Sequence, residues 1–172
     1  EEQNTLKSGQ KIMTDMLREF DNICRTNNIK YWCVCGTLIG VVRHKGWIPF
    51  DADIDVSMLE KDYNKLEKII KNELPHDMWF QTYKNDKYWP NQTINKIRHL
   101  YVTYKRNKND KRDEWHNGVQ LDIFIFKEKG NMLISTNSDK EFGPHNRNII
   151  FPLKELTFEN IKVYVPNQYK KY

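Results

Sequence analysis

Cysteine is scarce in this chain and odd in number: Cys24, Cys33 and Cys35 are the only three among 172 residues. An odd count argues against a disulfide framework. Cys33 and Cys35 have no second pair to complete a metal clip, and on a strand each reads as a small buried apolar side chain. Also missing is any apolar run near the roughly 18 residues that a bilayer crossing needs. That argument covers these residues alone: the chain opens at Glu1 without Met, which is compatible with removal of an upstream signal or anchor. There is no internal repeat, low-complexity tract or interdomain linker. What remains is one ordinary domain, and 172 residues suffice for a single core.

Charged residues make up 30% of the chain and mean hydropathy is −0.83, so the surface is very polar. Aromatics at 13% still supply bulky core material, which excludes a disordered chain. The formal charge of +5 favours an anionic partner: a nucleotide, a phosphorylated glycan or a nucleic acid. The basic run in 107–117 reads as a solvated hairpin loop, which argues against nucleic acid.

Apolar residues at helical spacing, Met13, Met16, Leu17, Phe20, Ile23 and Cys24, predict an amphipathic helix over 4–27. A buried strand follows over 29–35, then a tight Gly-Thr turn into a short helix over 36–42. A second strand is expected over 52–58. Leu59, Tyr63, Leu66, Ile69, Ile70 and Leu74 predict a helix over 59–74, stopped by Pro75. Further strands are expected over 79–84, 93–106, 118–126 and 161–166, with 127–148 irregular. The final NQYKKY reads as the first turn of a helix, so the chain is expected to be truncated at its C-terminus. The pattern is helices plus a mixed sheet, an α+β domain over 1–172.

Chemistry concentrates in acids. Asp51, Asp53 and Asp55 share parity, so on one strand they point to the same side, about 7 Å apart in succession. A divalent cation relieves their repulsion, and such oxygen ligands suit Mg²⁺ or Mn²⁺. Pro49 puts Asp51 in the entering loop, which makes Asp53 and Asp55 the stronger pair. In GVQLDIFIF, Asp122 lies on a strand buried on both faces. A buried carboxylate must be paired or metal-bound, so either a metal or a salt bridge to an arginine such as Arg98 is expected. Gly36 and Thr37, between a strand and a helix, read as a turn and cap or as a phosphate contact at the helix N-terminus.

The stretch GTLIGVVRHKGWIPFDADIDVSM (36–58) closely resembles the signature of the LicD family, within the nucleotidyltransferase superfamily. That family includes bacterial phosphocholine transferases and, more distantly, the fukutin and fukutin-related proteins. NGVQLDIFIF is similar to its second motif. The resemblance covers roughly 10–126. Two features depart from it: Ala52 replaces the middle of three acids, and the family continues past this chain's end. The resemblance implies a nucleotidyltransferase-like mixed β-sheet flanked by helices. It also implies transfer of a phospho-alcohol, such as phosphocholine or ribitol phosphate, from a CDP-linked donor to a hydroxyl of a glycan or glycoconjugate. Asp53, Asp55 and Asp122 would hold one or two Mg²⁺ ions, with Asp51 as a further ligand through water, and Asp122 would help deprotonate the acceptor.

On the same resemblance, Gly36 and Thr37 would contact donor phosphate, and Arg43, His44 and Lys45 would reach phosphates or orient the acids. Lys45 reads equally as a solvated helix-end cation. His116 is placed near the acceptor. The alternatives are a nucleotidyltransferase adding a nucleotide to a small hydroxyl acceptor, and a non-catalytic anion-binding module, against which three clustered acids argue. The expected compartment is the cytoplasm, or a secretory lumen if an N-terminal anchor has been removed.

Overall fold

The computed structural model describes residues 2–86, 88, 95–103, 116, 118–136 and 143–172. The hairpin expected over 107–117 lies outside these residues except for His116, as do the ends of the strand expected over 93–106.

The amphipathic pattern of the first segment becomes α1 (Glu2–Thr26), whose Met13, Met16, Leu17, Phe20 and Cys24 are almost fully buried. The next segment is mostly not strand. β1 is only Trp32–Cys33, because the chain enters α2 (Cys35–His44) directly. β2 (Ile54–Leu59) begins one residue after Asp53, and α3 (Glu60–Glu73) follows without a loop. β3 (Met78–Gln81), β4 (Asn95–Thr103) and β5 (Gly118–Lys129) complete the centre of the sheet.

The order β1-β2-β5-β4-β3 is mixed: β2 runs parallel to β5, and the other neighbours are antiparallel. The α+β expectation holds. The stretch expected to be irregular does not. β5 runs on to Lys129, turns at Gly130 with φ 59°, and returns as β6 (Met132–Ser135). Glycine meets that left-handed turn without a Cβ penalty. β7 (His145–Asn146), α4 (Arg147–Ile150) and a separate hairpin of β8 (Lys154–Phe158) and β9 (Ile161–Val165) follow. The final segment forms a single hydrogen-bonded turn, with Lys171 and Tyr172 donating to the Gln168 carbonyl, and it is held by Asn167 and Gln168 donating to the carbonyls of Ile150 and Ile149.

Alternation decides which side chains meet. On β5, Val119, Leu121, Ile123 and Ile125 enter the main core with Ile54, Val56 and Met58 of β2. The opposite face carries Phe124, Phe126 and Leu59 into a second cluster with Trp32, Ile150 and Phe151. Asp55 and Asp122 lie on that second face. The sheet is therefore covered on both sides, and its few polar side chains have to be satisfied locally.

Candidate functional site

Parallel pairing of β2 with β5 sets Asp55 opposite Asp122. Neighbouring strands lie about 4.8 Å apart, so two same-face carboxylates in register meet at their tips. Asp53 joins them from the loop ahead of β2. One oxygen from each of the three lies within 4.8 Å of the others. The sequence expectation placed Asp53 on the strand; it reaches the cluster from irregular backbone instead, because β2 starts only at Ile54.

The loop that delivers Asp51 and Asp53 is pinned. Gln10 of α1 donates its amide to the Asp51 carbonyl at 2.9 Å. Ala52 N–H donates to Asp51 Oδ1 at 3.1 Å. Phe50, just before, has φ 72° and stands 74% exposed, a strained position for a bulky residue.

The α2 end of the signature holds the acids. A Cβ on Gly36 would stand 2.6 Å from Asp51 Oδ2. Glycine is thus required there so that a carboxylate can abut the helix start, where the helix dipole favours it. Thr37 is 2% exposed, and its hydroxyl accepts the Asp55 N–H at 2.9 Å. Val34 N–H donates to the Asp55 carbonyl at 3.1 Å, so both backbone groups of Asp55 are tied to this corner. Gly36 and Thr37, expected as a turn and cap or as phosphate contacts, also have internal tasks: room for Asp51 and a clamp on Asp55.

Thr37→Val leaves the Asp55 N–H without its acceptor and is expected to lower stability by about 1–3 kcal/mol. Thr37→Ser retains the hydroxyl and should melt near the wild type. Equal melting of all three by calorimetry would remove the clamp.

Asp122 is 7% exposed and has a cation partner. Lys96 Nζ lies 2.9 Å from its Oδ1 and 3.2 Å from its Oδ2, with hydrogen-bond geometry only to Oδ2. Gln120 also donates to Oδ2, at 3.2 Å. The salt bridge thus runs to Lys96 and not to Arg98. Arg98 donates to Gln81 Oε1 and to the Gly118 carbonyl, both at 2.8 Å. Lys96 and Gln120 were missed from sequence. Their parity with Arg98 and Asp122 was visible, but the register that brings them opposite was not.

Electrostatics follow from crowding. Burial, then the charges of Asp53, Asp122 and Asp51, push Asp55 up to about 8, against the opposing pull of Lys96. Burial also raises Asp122, while Lys96 pulls it back. Burial and Asp53 raise Asp51. A divalent cation fits this donor set. The ligands are all carboxylate oxygens, their repulsion is only partly offset, and buried Asp122 Oδ1 accepts no hydrogen bond among the described residues.

The remaining expected residues stand apart. Arg43, His44 and Lys45 are exposed at the far end of α2. Lys45 closes the helix in a left-handed conformation, φ 54°, and its carbonyl accepts the Glu159 N–H at 2.7 Å. Glu159 Oε1 in turn accepts the Trp47 N–H at 3.0 Å, so the turn between β8 and β9 fastens this segment. His116 is buried, not displayed to an acceptor. Its Nε2 meets both oxygens of Asp86 at 3.2 and 3.1 Å, with Tyr88 edge-on at 4.9 Å. It precedes Gly118, which stands about 13 Å along β5 from Asp122.

Comparisons with known proteins bear on the family. A family model described as "LicD/FKTN/FKRP, nucleotidyltransferase domain" matches residues 28–168, well past the point where the sequence resemblance fades. An uncharacterized protein of Rickettsia prowazekii is 31% identical over 169 residues, covering 93% of this chain and 52% of its own length. The lipopolysaccharide cholinephosphotransferase LicD of Haemophilus influenzae is 39% identical over 77 residues, 45% of this chain and 26% of its own. The ribitol 5-phosphate transferase FKRP of Homo sapiens is 22% identical over 172 residues, 94% and 30% respectively. The chain spans about half the length of the first of these relatives and less of the others. Among the described residues no helix is long and apolar enough to cross a membrane.

Proposed function

This chain belongs to the LicD/FKTN/FKRP nucleotidyltransferase-domain family, and we propose that it transfers a phospho-alcohol from a CDP-linked donor to a hydroxyl of a glycan or glycoconjugate. In that reaction the acceptor oxygen forms a bond to the phosphorus bearing the alcohol. The phosphoanhydride bond breaks, CMP leaves, and the hydroxyl proton passes to a base. The observation that carries the reading is the convergence of Asp53, Asp55 and Asp122 within 4.8 Å on one face of the sheet. The relatives named as cholinephosphotransferase and ribitol 5-phosphate transferase support the substrate class.

Asp53, Asp55 and Asp122 would hold Mg²⁺ or Mn²⁺, with Asp51 beside them. Such an ion neutralises diphosphate charge and favours attack by a hydroxyl. The chain's own contribution is placement. The Thr37 clamp and the parallel register fix Asp55 against Asp122, and Gln10 fixes the Asp51 loop. Hydrogen bonds from Lys96 and Gln120 fill Asp122 Oδ2, and the Lys96 ammonium also lies 2.9 Å from Oδ1, so a cation held by Asp122 would share that carboxylate with Lys96. Arg43 and His44, exposed at the far end of α2, are assigned to the donor's phosphates, as the family signature implies. Lys45 and His116 are given structural roles only.

The test is mass spectrometry of products from a panel of CDP-alcohols with candidate glycans, with Mg²⁺ and with chelator. The expected product is a glycan heavier by one phospho-alcohol, formed only with metal and absent with Asp122→Asn. An acceptor that gains the cytidylyl group instead would make this a nucleotidyltransferase. Glycan binding that survives every aspartate substitution, with no product from the wild type, would make it an anion-binding module.

A further inference from the structure

We propose that Lys96 is a positioning residue of the acidic site: its ammonium orients the Asp122 carboxylate and offsets part of the site's negative charge, weakening the grip on a divalent cation and easing approach of a phosphate-bearing donor.

Lys96 stands opposite Asp122 in the antiparallel register of β4 and β5. It is 8% exposed, and lysine is rarely so buried unless paired. Its Nζ lies 2.9 and 3.2 Å from the two Asp122 oxygens and 3.2 Å from Gln120 Oε1. Gln120 donates to Asp122 Oδ2, so the three side chains close a ring that sets the plane of the carboxylate. Arg98, two residues along the same face, is bonded to Gln81 and the Gly118 carbonyl. Among the described residues, then, the cation that β4 brings directly onto an acid of the cluster is Lys96.

The charges explain why a cation belongs there. Asp51, Asp53, Asp55 and Asp122 converge, and the ammonium opposes them by one unit. A divalent ion held by Asp122 shares that carboxylate with Lys96, and like charges a few ångströms apart repel appreciably even where water screens them. Lys96 thus lowers the affinity for the bare ion. The same charge reduces the repulsion that four carboxylates would exert on an anionic diphosphate. A purely architectural lysine predicts the reverse: removing it would loosen Asp122 and weaken metal binding.

The donor part of this inference rests on the transferase reading; the metal part does not. The test titrates Mg²⁺ alone into wild type, Lys96→Gln and Lys96→Arg by calorimetry. Gln retains an N–H donor for Asp122 without the charge, and Arg retains the charge. Lys96→Gln is expected to bind Mg²⁺ about tenfold more tightly than wild type, and Lys96→Arg within about threefold of it. With a CDP-alcohol turned over by the wild type, the donor KM should rise about tenfold or more in Lys96→Gln and recover in part in Lys96→Arg. Unchanged or weaker Mg²⁺ binding in a folded Lys96→Gln overturns the proposal.

Should that variant fail to fold, Asp122→Asn is compared with Asp122→Asn/Lys96→Gln, which leaves no unpaired buried charge. Mn²⁺ serves as probe, read by water relaxation. Tighter binding by the double variant supports the proposal, and equal or weaker binding overturns it. Tighter Mg²⁺ binding by Lys96→Gln alongside a wild type that turns over no CDP-alcohol would sink the transferase reading while leaving the metal role of Lys96 standing.

Discussion

Asp55→Asn is expected to abolish phospho-alcohol transfer and, at the same time, to raise the melting temperature of the metal-free protein at pH 8.5. The loss of transfer should be about a thousandfold or more. A metal ligand supplies several kcal/mol of transition-state stabilisation, and each tenfold in rate corresponds to about 1.4 kcal/mol. The gain in stability follows from the crowding that burial imposes. The folded protein holds a proton on Asp55 up to about pH 8, whereas the ordinary carboxylate releases it near 3.8. The metal-free folded state therefore binds more protons than the unfolded state between those values. The stability that Asp55 contributes is fully present below about pH 4 and is lost as pH rises toward 8.

Asparagine removes that dependence, so the variant and the wild type should diverge with rising pH. At pH 8.5 the variant should melt roughly 2–8 °C higher, the equivalent of about 1–2 kcal/mol for a chain of this size. Added Mg²⁺ should raise the wild type's melting temperature and leave the variant's unmoved, since an ion that binds only the folded state stabilises it by mass action. Melting curves at pH 5.5 and 8.5, with Mg²⁺ and with chelator, check this. A variant that melts lower than wild type at pH 8.5 without metal would show that the carboxylates do not strain the fold.

Gly40→Ala should destabilise the protein by about 2–3 kcal/mol, lowering its melting temperature by roughly 4–12 °C. Helix propensity alone predicts the opposite sign, because alanine is better than glycine in a helix interior by about 1 kcal/mol. Packing decides. A Cβ at Gly40 would stand 2.4 Å from the Gly46 carbonyl oxygen and 3.4 Å from Ile48 N. Both are backbone atoms, which cannot swing aside as a flexible side chain would. The obstructed segment continues directly to Asp51 and Asp53, so activity should fall with stability. Gly143→Ala is the control: among the described residues nothing lies within 4 Å of a Cβ there, and it should melt as wild type. A Gly40→Ala protein as stable as that control would mean the α2–loop contact is loose.

The long elements and the alternation of the buried strands were legible from residue order. Met13, Met16, Leu17 and Phe20 announce α1 because a helix buries every third or fourth side chain, whatever it packs against. Val119, Leu121, Ile123 and Ile125 announce one face of β5, and Asp122 with Phe124 the other, because a strand alternates. Short pieces were less legible. β1 is two residues long and owes its existence to pairing with β2, more than 20 positions distant, in the register of Trp32 with Ser57 and Cys33 with Val56. The β5–β6 hairpin was overlooked because its polar strands carry little apolar alternation, although the dipeptide Gly130-Asn131 between them is a two-residue hairpin signal.

The acids were legible as a motif through their types and spacing, and the family signature gave them a chemical meaning. Which side chains surround them depended on register. Lys96 and Arg98 share a face of β4, and the sequence offers no reason to prefer either as the partner of Asp122. The pairing of Lys96 with Asp122 and of Arg98 with Gln120 settles it. In the same way Thr37, read as a ligand for phosphate, is turned inward onto Asp55, and His116 is buried against Asp86. The sequence by itself determined the periodicities, the acidic motifs and the family, because these depend on neighbours along the chain. The tertiary structure alone decided which distant residues meet across strands, and with that the partners, charge balance and exposure of every side chain in the site.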